Sequence, residues 1–181
     1  MILSGAAIDA AVAAKKIEID PYDARQLNPA SYDLTLGDEI RTYEFGSIHN
    51  VKDEPATVLH KFDPLYGFVL RPGTGYLMHT RERIRTDLFV PVLDGKSSIG
   101  RLFVKVHETA GFGDPGFDGQ YTLEVTTLYP IRLFARMRIA QMRFHVVVRG
   151  LAEGEMAKYQ GNYVGDAARG PVASRAWRQF R

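Results

Sequence analysis

A change of rhythm at Pro29 governs what this chain can fold into. Beyond it, Ser31-Tyr32-Asp33-Leu34-Thr35-Leu36-Gly37 places apolar side chains at every second position and ends on a turn residue. Such alternation marks a half-buried strand. Short strands are also expected at Phe68–Leu70, Gly75–Thr80, Leu88–Val92, Leu102–Val106, Tyr121–Thr127, Ile131–Leu133 and Ala140–Val148, with Gly, Pro and Asp turns between them. Many short strands between turn signals predict a mainly β fold: a sandwich, jelly roll or barrel. Before Pro29 the spacing differs. Ser4 can cap a helix over residues 4–16, in which Ile8, Ala11, Val12 and Lys15 share a face. Residues 46–66 are polar, hold Pro55 and Pro64, and are expected to form a long loop. From Gly150 the alternation ceases, so residues 150–181 are expected to be an arm or lid. With no internal repeat or linker, residues 1–181 are expected to form one domain, residues 1–20 being its helical N-terminal region.

Composition narrows the chemistry. The net charge of +2 gives no argument for nucleic acid or a membrane surface as partner. No run approaches the about 20 apolar residues of a membrane helix. Met1-Ile2-Leu3-Ser4 does not open a signal peptide, so a cytoplasmic location is expected. The absence of cysteine removes disulfides, thiol nucleophiles and cysteine-held zinc. It thereby excludes the deaminases that carry a Pro-Cys-x-x-Cys zinc signature. The five histidines have no close ligand spacing and read as ordinary surface or core residues.

Three clusters within 30 residues carry the polar chemistry. In Gly95-Lys96-Ser97-Ser98-Ile99-Gly100-Arg101, two hydroxyls, two cations and flexible glycines suit a polyphosphate. Alone, the segment reads equally as a turn capping a short helix. The second cluster runs Thr109-Ala110-Gly111-Phe112-Gly113-Asp114-Pro115-Gly116-Phe117-Asp118-Gly119. It makes either a hairpin turn served by Asp114 and Asp118, or a site where Asp114 meets a sugar hydroxyl or water and Phe112 flanks a base. The third is Tyr121-Thr122-Leu123-Glu124-Val125, where period two sets Thr122 and Glu124 on one face. Glu124 is either a surface carboxylate or a general base.

Taken together, the order and spacing of the clusters resemble the dCTP deaminase family of the dUTPase superfamily. The resemblance begins at Met1-Ile2-Leu3-Ser4 and continues through Ile19-Asp20-Pro21 and Pro29 to Gly37. It is densest from Gly95 to Glu124. It resumes at Ile139-Ala140-Gln141, Lys158-Tyr159-Gln160-Gly161 and Gly170 to Arg175. It implies a jelly-roll-like or distorted β-barrel and a homotrimer with active sites between subunits. The implied substrate is dCTP, with Mg²⁺ carried on the phosphates, no zinc, and dTTP as an inhibitor. Glu124 is the implied catalytic base, working on a water held by Ser97 and the backbone near Ala110. Lys96, Ser97, Ser98, Ile99, Gly100 and Arg101 grip the phosphates, with Ser97 and Arg101 also near the reacting centre. Asp114 serves the deoxyribose and the hydrolytic step. Thr122, Leu123, Glu124 and Gln141 help form the nucleoside pocket, and Lys158 and Asn162 belong to an arm closing over the triphosphate.

The family has two branches, and Gly111-Phe112 stands where deaminase-only members typically carry a basic pair. The resemblance therefore implies the branch that deaminates and cleaves, giving dUMP, ammonia and pyrophosphate. The alternatives are a deaminase that stops at dUTP, a dUTPase without deamination, and a nucleotide-binding regulator. Several positions depart from the pattern: Glu108 adds a carboxylate, Gly113 replaces a branched apolar residue, Thr126-Thr127 replaces asparagine, and Ala135-Arg136 replaces a Pro-Gly turn. In the arm, Asn162 replaces glutamine, and residues 163–168 look inserted.

Overall fold

The computed structural model describes residues 1–46, 48–148, 158–163 and 169–180. Helix α1, Gly5–Ala13, starts as expected: Ser4 Oγ accepts the Ala7 N–H at 3.2 Å, and Ile8 and Ala11 face the core. It ends short of residue 16 because Lys15 turns into the left-handed region at φ 55°. The Ala11 carbonyl then accepts both the Lys16 and Ile17 amides, closing the last turn.

The rest is mainly β. In chain order the strands are β1 Glu18–Asp20, β2 Tyr32–Thr35, β3 Glu39–Tyr43, β4 Thr57–Lys61, β5 Phe68–Leu70, β6 Tyr76–Arg85, β7 Phe89–Gly95, β8 Val104–Lys105, β9 Asp118–Thr127, β10 Ile131–Leu133 and β11 Arg138–Val146. One sheet runs β4-β3-β6-β9-β8, with β1 on the free stretch of the β6 edge. A second runs β2-β11-β7, and β5 pairs with β10. All these ladders are antiparallel. Tyr32, Leu34, Met78, Leu123, Val125 and Phe144, drawn from both larger sheets, are packed into one apolar core.

Three expectations need correction. The hairpin of β3 and β4 falls partly inside the expected loop at 46–66. β4 leaves both of its adjacent apolar residues, Val58 and Leu59, partly exposed, so it carries no alternation to read. The expected strand Leu102–Val106 is only Val104–Lys105, because residues 97–103 coil into a short helix and turn. Strand β2 is buried on both faces, not one. Asp33 is buried against Lys96, Arg138 and Asn28. Thr35 gives its amide and hydroxyl to the buried Glu82 carboxylate. Buried charge is tolerated there because each polar group is matched.

Candidate active site

Strand β9 is the spine of the site. Leu123 and Val125 are fully buried, which turns Thr122 and Glu124 to the opposite face. There they line a cavity of about 360 Å³ together with Ala110 and Asp114. The Glu124 carboxylate accepts the Glu108 N–H at 3.3 Å. The Glu108 side chain accepts the Thr126 hydroxyl at 2.7 Å and pairs with Lys105 at 3.5 Å. Those two contacts, the hydroxyl first, hold its carboxyl below the usual range. Two departures from the family pattern, Glu108 and Thr126, are thus partners, and together they fix the backbone amide that faces Glu124.

Asp114 reaches the cavity on a turn tied to its surroundings at several points. Leu93 N–H donates to the Gly111 carbonyl at 2.7 Å, Gly113 N–H to Pro91 at 2.8 Å, and Gly116 N–H to Thr86 at 2.7 Å. Gly116 takes φ 88°, which glycine adopts without strain. Phe112 also lines the cavity. Asp118 does not serve the turn: it lies on β9 and pairs with Arg83.

The remaining wall comes from residues to which the sequence gave no role, among them Tyr121, which period two sets on the face opposite Glu124 but which lines the cavity as well. Tyr43 of β3, with Phe117, Gln120 and Tyr121, faces the cavity beside Tyr159, Tyr163, Val172 and Ser174 from the C-terminal segments. Backbone amides dock the last of these segments onto the sheet. Gly170 donates to Gln120 Oε1 at 2.8 Å, Val172 to Thr122 Oγ1 at 3.1 Å, and Ser174 to Tyr43 Oη at 3.2 Å. Arg41 Nε donates to the Pro171 carbonyl at 2.9 Å. The arm therefore forms part of the cavity wall, and the Thr122 hydroxyl already serves it. Residues 150–157, 164–168 and 181 of the expected arm lie outside the described residues.

The other candidates do not line this cavity. Ser97–Gly100 form a short helix, α2, anchored by buried Ile99, while Ser97, Ser98, Gly100 and Arg101 are exposed. The Lys96 ammonium is engaged by Asp33. Gln141 accepts the Ser31 hydroxyl at 2.8 Å and donates to the Gly95 carbonyl at 3.0 Å, so it braces the base of the same segment. Leu123 faces the core. Lys158 Nζ pairs with Asp87 at 2.8 Å, holding that carboxyl low, and the Asn162 carbonyl accepts Arg175 at 2.7 Å. Lys158 and Asn162 nonetheless flank Tyr159 and Tyr163 in the wall. Two carboxylates and several aromatic rings line the cavity, but among the described residues no Lys or Arg does.

This is a β scaffold with a cavity of nucleoside size, aromatic walls and two carboxylates. A family model described as dCTP deaminase-like matches residues 2–147. A protein of Leptospira biflexa named dCTP deaminase, dUMP-forming, is 42% identical over 81% of this chain and 83% of its own length. One of the same name from Clostridium acetobutylicum is 41% identical over 90% and 92%. A solved 2'-deoxycytidine 5'-triphosphate deaminase from Agrobacterium tumefaciens superposes with a TM-score of 0.63 at 25% identity, covering 81% of this chain. The chain spans about half (48%) the length of that structure. The chain belongs to the dCTP deaminase-like family.

Proposed function

We propose that this chain is a hydrolase that deaminates dCTP and cleaves the product, releasing dUMP, ammonia and pyrophosphate. The observation that carries it is the meeting of Glu124, Asp114, Thr122 and Ala110 around one cavity, in a chain about 40% identical to dUMP-forming relatives. Two waters are consumed. Glu124 takes a proton from the first, whose oxygen adds to cytosine C4; returning protons then let ammonia leave. The second water displaces pyrophosphate at the α-phosphorus, with Asp114 at the sugar and the attacking water.

Charge supports a reading in which the sites are shared between subunits of a homotrimer. A triphosphate needs cations, and among the described residues none lines the cavity. The exposed Ser97 and Arg101 of a second copy would supply the missing grip and complete the water site. Leu102 and Phe103 beside them, 46% and 58% exposed, suit burial against another subunit. Lys158, released from Asp87, and Asn162 would approach the phosphates from the arm. Among the described residues no group of three or more His, Cys, Asp or Glu is placed to hold a metal, so Mg²⁺ would be held by phosphate oxygens. There it supplies charge neutralisation. dTTP, sharing the triphosphate and deoxyribose, would compete for the cavity. No helix among the described residues is long and apolar enough to cross a membrane.

The test is Glu124→Gln. It should still bind dCTP in calorimetry but release no ammonia. Near-normal ammonia release would remove Glu124 as the base.

A further inference from the structure

The turn that carries Asp114 contains a glycine with no room beside it. A Cβ built on Gly113 would lie 2.5 Å from Tyr121 Oη, 2.9 Å from Pro91 Cγ and 3.0 Å from the Pro91 carbonyl oxygen. Neither neighbour yields freely. Pro91 is in β7, paired with Phe144 of β11, and its carbonyl accepts the Gly113 amide. The Tyr121 amide donates to Thr80 Oγ1 at 2.9 Å. Its ring packs edge-on against Phe117 with centroids 4.8 Å apart, and Phe117 packs edge-on against Tyr159 at 5.8 Å. The Tyr121 hydroxyl is buried and, among the described residues, has no hydrogen-bond partner. A buried hydroxyl without a partner is costly, so bonding does not explain its place. Shape does: the phenol tip occupies the volume that a side chain at 113 would need.

We propose that Tyr121 is a positioning residue for Asp114: its buried phenol tip fills the space beside Gly113 and sets the turn that presents the Asp114 carboxylate to the cavity. Tyr121 and Gly113 act as a size-matched pair. The side chain at either position is constrained by the one at the other, and Asp114, next in the chain, takes up any mismatch. The inference rests on the role given to Asp114 under the proposed function.

Three variants of the full chain test it: Gly113→Ala, Tyr121→Ala, and Gly113→Ala combined with Tyr121→Phe. Products from dCTP and Mg²⁺ are separated by anion exchange, and dUMP affinity is measured by calorimetry. Gly113→Ala crowds the phenol tip and Tyr121→Ala empties its space. Each should raise the dUTP:dUMP ratio about tenfold, equivalent to about 1.4 kcal/mol of barrier, and weaken dUMP binding by a similar factor. The double variant removes the Oη contact but leaves those to Pro91, so it should recover part, not all, of both losses relative to Gly113→Ala. A merely structural pair would lower deamination and pyrophosphate release equally. That outcome, or a double variant no better than Gly113→Ala, overturns the inference. If Gly113→Ala does not fold, Tyr121→Ala carries the test by itself, and an unchanged ratio and affinity there overturn it. If the unaltered chain makes no dUMP, the functional reading fails, while dUMP affinity still decides between positioning and its absence.

Discussion

Asp33→Ala takes away the shared partner of two cations. The carboxylate is 1% exposed; one oxygen meets Lys96 and Asn28 Nδ2 (2.7 Å), the other Arg138 Nη1 (3.3 Å). Removing one member of a fully buried pair costs about 3–5 kcal/mol, whereas an exposed pair is worth about 0–1 kcal/mol. The Lys96 side chain keeps 20% exposure and that of Arg138 49%, so the first pair lies near the buried limit and the second near the exposed one. Because Lys96 keeps some contact with water, the first figure is discounted, and the loss comes to about 2–3 kcal/mol, or roughly 4–12 °C in Tm for a chain of this size. Thermal denaturation followed by circular dichroism, at fixed protein concentration, measures it. Lys96→Met should be destabilised too, and the double variant should lose less than the two single losses added. A Tm within about 1 °C of the parent for Asp33→Ala, or strict additivity, would refute the reasoning. If Lys96→Met left Tm alone and raised KM for dCTP instead, Lys96 would serve phosphate and not Asp33.

Three further outcomes are expected. Arg136 takes φ 66° in the turn before β11, a conformation that costs a non-glycine residue about 1–2 kcal/mol. Arg136→Gly should therefore gain up to about 1 kcal/mol in urea titration, after the entropy glycine adds to the unfolded chain. Arg41→Met loses the bond to the Pro171 carbonyl and should loosen residues 170–174. The single tryptophan, Trp177, is buried nearby in the chain, so its emission should shift to the red and KM for dCTP should rise. Burial pushes the His79 imidazole below its ordinary value. The unfolded chain then binds a proton that the folded one resists, so this contribution is full above about pH 6.5 and falls as pH drops below it. Tm measured between pH 7.5 and 5.5 should decline less in His79→Gln than in the parent.

Much of the fold could be read because apolar alternation survives wherever one strand face is buried. β5 and β10 match their expected spans, and β9 turns Glu124 and Thr122 as its pattern requires. The hairpin of β3 and β4 could not be read, since its outer strand keeps apolar side chains exposed. Asp33 looked like the polar side of a half-buried strand, and only its partners, some 60 to 100 residues away in the chain, reveal why it is buried. At the site, residue types pointed to Asp114 and Glu124, which one chain does bring together. The tyrosines at 43 and 163 gave no local signal, and Tyr159 stood in a matched motif without a role, because what unites them is the docking of the arm on β3 and β9. Gly113, a departure without explanation in the sequence, is explained by a ring eight positions further along the chain.

The decisive measurement is anion-exchange separation of the products formed from dCTP and, in parallel, from dUTP with Mg²⁺. The site described here should convert dCTP to dUMP, with ammonia and pyrophosphate released in equal amounts. Accumulation of dUTP without pyrophosphate would contradict the cleavage step, and turnover of dUTP with dCTP untouched would contradict deamination.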